Sequence, residues 1–184
     1  MIRYDLPTTV EVNGREYAIR SDFRAILDII TALNDIDLQP REKSLVVLEI
    51  FYEDPDLIPP ADYDEAIRAC FRFMDGGEER QSGNSPEIVD WVKDFPLIVA
   101  PINHIAGKDI RGEENVHWWT FLAWYGEISS ECTFATVLLI RNKLATGKRL
   151  DKGEQEWYDR NRDLVDRPVR YSTEEAEFLQ KLGG

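Results

Sequence analysis

The sequence predicts a mainly α protein in which an N-terminal β-hairpin packs on a bundle of about seven to eight helices. Three observations lead there. Asn13-Gly14 stands between two alternating runs, TTVEV and REYAIR, which is a strong short-range signal for a two-residue hairpin turn. From Ser21 onward, apolar residues recur at helical spacing. No further run alternates as a half-buried strand does, so the hairpin's apolar face must lie on helices, because an isolated hairpin is marginal in water.

Pairing Val12 with Arg15 and stepping outward puts Val10, Val12, Tyr17 and Ile19 on one face of the hairpin. Ser21 or Asp22 then caps a helix carrying Phe23, Ile26, Leu27, Ile30 and Leu33. A second helix, from about Pro40 to Tyr52, is apolar on most sides (Leu45, Val46, Val47, Leu48, Ile50, Phe51) and is predicted to be central. Asp54-Pro55 and Pro59-Pro60 break it. A third turns Tyr63, Ile67, Cys70, Phe71 and Met74 inward and stops at Gly76-Gly77. The polar stretch EERQSGNSPE, residues 78–87, reads as a linker or loop. The chain is therefore expected to form a single domain over 1–184, with a two-lobe division at the 78–87 loop as the alternative.

Beyond that loop, Asp94 is the expected cap of a helix with Pro96 in its first turn and a kink at Pro101. The helix HWWTFLAWYGEI follows, then one from Glu131 to Ala145 with Phe134, Val137, Leu138 and Leu144 inward. Asp151 and Glu154 have capping-box spacing before a helix with Trp157 and Leu164. Ser172 and Glu175 repeat the device for a last short helix.

With 184 residues, 43% apolar and 11% aromatic, the chain can bury a sizeable core. Its formal charge of -13 argues against sequence-independent binding of nucleic acid or of an anionic membrane, both of which need basic surface. No stretch reaches the ~20 apolar residues of a membrane span, and MIRYDLPTTVEV does not read as a secretory signal. Cys70 and Cys132 sit in apolar helical patterns, as buried thiols do in a reducing compartment. The charge is polarised. Glu49 to Glu65 holds seven acids and no base, whereas Arg141, Lys143, Lys148, Arg149 and Lys152 face only Asp151. Such a chain can associate acidic end to basic end, which makes a homo-oligomer one expectation and solvated faces the other.

The search for chemistry is negative. His104 and His117 lack metal-ligand spacing. Thr146-Gly147-Lys148 resembles the end of a phosphate loop, but Asn142 stands where the first glycine belongs and no strand precedes it. The carboxylates show no spacing that singles out an acid/base pair. No catalytic, cofactor or metal residue is assigned, and the chain is expected not to be an enzyme.

The helix HWWTFLAWYGEI holds three of the five tryptophans. At about 100° per residue, Trp118, Phe121, Leu122, Tyr125 and Ile128 form one apolar stripe with Trp124 at its edge. Trp119 falls off the stripe, beside Ala123 and Gly126. It is either an anchor for another protein or a cover for a neighbouring helix of the same chain. The candidate partner-binding residues are Trp119, Ala123, Gly126 and Trp124 on this helix, with Arg141 and Lys143 from the basic run.

DWVKDFPLIVAPINHIAGKDIR, HWWTFLAWYGEI, the basic RNKLATGKRLDKGEQEWY and the N-terminal hairpin together resemble the tailed-phage "gene product fifteen" family of siphophages and prophages. The resemblance runs over nearly the whole chain in the same order. It implies no enzymatic activity and no catalytic residues. It implies a gene placed between the major tail protein and the tape-measure protein, where tail assembly chaperones are encoded. The expected partner is then the phage tape-measure protein, with a companion tail chaperone as a second. The expected location is the host bacterial cytoplasm. The alternative is a structural tail-completion or connector component retained in the virion.

Overall fold

The structure, a computed structural model, describes residues 5–77 and 88–167. The predicted linker at 78–87 and the last predicted helix, from Ser172, lie outside the described residues. Among the described residues, 5–77 with 115–119 form one compact unit, and 88–114 with 120–167 form a second. The fold is mainly helical behind an N-terminal antiparallel hairpin, as the sequence predicts.

In the first unit, β1 (Thr9–Val12) and β2 (Arg15–Ala18) pair in the predicted register, Val12 with Arg15 and Val10 with Tyr17. Asn13 and Gly14 have φ of 48° and 82°, the left-handed pair that a type I′ turn requires. Three helices follow: α1 (Phe23–Leu33), α2 (Pro40–Phe51) and α3 (Tyr63–Met74). The chain leaving α2 adds to the outer edge of β2. Arg20 N donates to Phe51 O at 2.8 Å and Glu53 N donates to Ala18 O at 3.1 Å. The core gathers Val12, Tyr17 and Ile19 from the hairpin, Phe23, Ile26 and Ile29 from α1, and Val47, Leu48 and Phe51 from α2. Tyr52 is wholly buried, and its hydroxyl donates to Ala66 O at 2.8 Å. Burial pushes that phenol well above the usual tyrosine range.

Two helices are rotated from expectation. α2 packs against both α1 and α3, but it buries one face only, with Leu45 44% exposed. On α3 the inward face is Ala66, Ala69, Cys70 and Phe73, while Phe71 is 39% exposed. With apolar residues at 70, 71, 73 and 74, two adjoining faces satisfy helical spacing about equally, and the neighbouring elements decide between them.

In the second unit, α4 (Trp91–Ala106) begins before the expected point. Asp90 is its cap, accepting from Lys93 N at 3.1 Å, and both Pro96 and Pro101 lie inside it. Pro96 leaves the Val92 carbonyl without its helical donor, on an exposed side of the helix where solvent can reach it. The helix α5 (Trp118–Gly126) belongs to this unit from Thr120 onward. Then come α6 (Thr133–Ala145), α7 (Lys152–Arg160) and the single turn α8 (Arg162–Val165). Val137, Ile140 and Val165 form a buried cluster, with Leu97, Leu150 and Trp157 packed against it.

Asp94 is not the cap residue, but its carboxylate accepts from the backbone N of the cap, Asp90, at 2.8 Å and has a second role. It is fully buried in the first turn of α4 and forms a bidentate ion pair with Arg141 of α6, at 2.6 and 2.9 Å. Arg141 is only 5% exposed, so its assignment to a basic surface patch is corrected. Its remaining donors reach Val165 O (2.7 Å), Ile88 O (2.9 Å) and Leu164 O (2.8 Å). All five guanidinium hydrogens therefore have acceptors. Replacing Arg141 with Met strands a buried carboxylate and is expected to cost about 3–5 kcal/mol by urea denaturation. Arg141→Lys should recover little of the loss, since one ammonium cannot serve acceptors fanned around a planar fork.

Candidate functional site

The tryptophan helix is built from a short segment that returns to the first unit. Residues 115–119 lie along the start of α1. Phe23 N donates to Val116 O at 2.9 Å and Trp118 N to Ser21 O at 2.7 Å. Asp22 caps α1, accepting from Arg24 N at 2.9 Å, and its second oxygen accepts from Val116 N at 2.8 Å. His117 is buried. Its Nδ1 accepts from Trp119 N at 3.0 Å, so Nε2 carries the proton and donates to Pro7 O at 2.9 Å.

This seating decides the role of the two adjacent tryptophans. The Trp118 indole N–H donates to Met74 O and that of Trp119 to Phe73 O, both at 2.8 Å, at the C-terminal end of α3. These are carbonyls that a helix end leaves without helical donors. The Trp119 ring stacks on Phe73, with centroids 5.7 Å apart. Its edge lies where a Cβ on Gly77 would come within 3.1 Å, and Gly77 has φ of 87°, so glycine suits that position twice over. Of the two roles open to Trp119, the geometry favours covering a helix of its own chain.

On the rest of α5, Phe121 is buried, while Leu122, Trp124 and Tyr125 are half-buried. Trp91 packs against Phe121 and Tyr125, and Tyr125 against Phe134. Ala123 and Gly126 are exposed, and a Cβ added to Gly126 would meet nothing within 4 Å. The candidates on α5 thus separate. Trp119 is engaged with α3, and Ala123, Gly126 and part of Trp124 remain on open surface.

The basic run is also reduced. Besides the burial of Arg141, Lys143 is half-buried and its ammonium pairs with Glu154, which also accepts from Asp151 N at 2.8 Å in the predicted capping box. Lys148, Arg149 and Lys152 are left exposed. A second feature, invisible to the sequence patterns, is an open groove of about 760 Å³ in the first unit. Ile19, Ala25 and Ile50 contribute its apolar lining, and Asp22, Asp28 and Glu53 line it with carboxylates. Arg20 also lines it, but its guanidinium donates to the carbonyls of Glu49 (2.7 Å), Ile50 (3.2 Å), Tyr52 and Glu53 (3.1 Å). Among the described residues, no three His, Cys, Asp or Glu side chains converge as a metal site would need.

Two outcomes test these placements. Trp119→Ala should lower stability by about 2–4 kcal/mol in thermal or urea melts. Trp119→Phe should lose only about 1 kcal/mol, because Gly76 N still donates to Phe73 O at 3.1 Å. For Lys143, the sign follows from its partner. The hydrogen bond from Lys143 holds the Glu154 carboxyl below the usual glutamate range. A depressed folded pKa contributes stability that is present above the ordinary value of 4.5 and lost as pH falls through the folded value. Lys143→Met should therefore lower the melting temperature at pH 7, and the gap from wild type should narrow as the buffer is taken below about pH 4.5.

Neither a search of curated proteins nor one of solved structures finds a significant match. A family description does match. The profile of the family described as Bacteriophage Gp15 protein aligns with residues 2–166, which takes in the hairpin, the proline-bearing α4, the tryptophan helix and the basic run through α8. The chain belongs to the Bacteriophage Gp15 protein family.

Proposed function

We propose that this protein is a non-enzymatic phage tail assembly chaperone that binds the tape-measure protein before the tail tube polymerises, in the host cytoplasm. Membership of the bacteriophage family over residues 2–166 carries the reading, together with the genetic neighbourhood that the family resemblance implies. The -13 charge supports it, since an acidic carrier keeps an aggregation-prone helical client in solution. So does the absence, among the described residues, of any helix long and apolar enough to cross a membrane. The open side of α5, with Ala123 and Gly126 exposed beside the half-buried Trp124, supports a client contact there, since an amphipathic helix can lie against small residues. A companion tail chaperone is the natural second partner.

Co-expression with the tape-measure protein tests the proposal. The tape-measure protein should move into the soluble fraction and co-purify. Ala123→Glu should reduce capture about tenfold with little change in melting temperature, as expected for a charge set into an apolar contact. An insoluble tape-measure protein with no pull-down in either direction overturns the proposal. Mass spectrometry of purified particles addresses the other reading. A stoichiometric amount in the virion makes the protein a structural tail-completion or connector component instead.

A further inference from the structure

The groove of the first unit, where Asp22, Asp28 and Glu53 outnumber an Arg20 already bonded to backbone carbonyls, and the turn between α6 and α7 are opposite in charge. Asp28 and Glu53 are exposed on the groove, and neither has an ion-pair partner among the described residues. The half-buried Ala25 and Ile50 offer apolar surface to the aliphatic stem of a long cationic side chain. The turn presents two such side chains in succession. Lys148 and Arg149 are exposed, and no ion pair engages either of them among the described residues. They are held from both sides. Lys148 N donates to Lys143 O at 2.8 Å, Leu150 packs on the Val137–Ile140–Val165 cluster, and Asp151 caps α7. A cationic pair fixed in place before binding loses less freedom on docking than one on a loose tail.

We propose that the groove receives the Lys148–Arg149 turn of a second copy of this chain. The contact uses different surfaces on the two copies. Such a contact either closes reciprocally between two copies or continues head to tail, and in both cases the turn of one copy engages the groove of another. The overall charge of -13 opposes this at long range, which makes a local match of cations to carboxylates the condition for association. This inference is independent of the tape-measure reading and stands or falls without it.

The test is sedimentation velocity on the full chain over a range of concentrations. Wild type should give a weight-average mass that rises with concentration above that of the monomer. Reversing the turn (Lys148→Glu with Arg149→Glu) or the groove (Asp28→Lys with Glu53→Lys) should weaken self-association at least about tenfold. Mixing the two reversed proteins should restore it, because each altered surface then meets its complement in the other chain. Thermal melts establish that both variants fold. The neutral pairs Lys148→Gln with Arg149→Gln and Asp28→Asn with Glu53→Gln, which add no charge, should weaken association in the same order. A monomer at every concentration overturns the proposal, as does a dimer indifferent to both reversals or a mixture that stays monomeric. A monomeric wild type that binds an arginine-lysine peptide through Asp28 and Glu53 also overturns it, and assigns the groove to a foreign cationic partner.

Discussion

The second unit depends on one buried guanidinium. Arg141 is charged in any folded protein, and its position in α6 places that charge away from water. The surrounding chain must therefore bring five acceptors to a planar fork. Asp94 supplies two from the first turn of α4, and the carbonyls of Ile88, Leu164 and Val165 supply three. The start of α4, the middle of α6 and the end of α8 are thereby located relative to one another to within hydrogen-bonding distance. Apolar packing alone would leave such helices freer to slide, because dispersion and burial are not directional.

The first unit solves a different problem. Its hairpin and three helices are local in sequence, yet α1 starts against a segment some ninety residues further on. Asp22 serves its own helix and the distant Val116 at once. His117 and the two indole N–H groups then satisfy backbone groups at Pro7, Phe73 and Met74. Polar atoms on bulky aromatic side chains suit this work. They occupy core volume and end in a single donor that reaches a helix terminus.

These two constraints narrow the surface left for partners. Trp119, Arg141 and Lys143 are drawn into intramolecular contacts, which leaves a smaller and differently placed set of groups on the surface. Those are the small residues of α5 beside Trp124, the exposed Lys148–Arg149 turn, and the carboxylate-lined groove beside α1.

Much of this was legible from the residues. Asn13-Gly14 between alternating runs determined the hairpin and its register, because few residues tolerate positive φ and a two-residue turn leaves one pairing. The apolar spacing determined that the rest is helical, and the order of its motifs determined the family. The exposed or buried state of particular side chains was not legible. Phe71 and Phe73 fit the same helical pattern, and only the packing around α3 sends one inward. Asp94 has the sequence signature of a cap and Arg141 that of a surface base. What makes them partners is the approach of α4 to α6, 47 residues apart. Spacing along the chain encodes local geometry, whereas the pairing of a buried charge depends on which segment fills the space beside it. That is settled only when the helices pack.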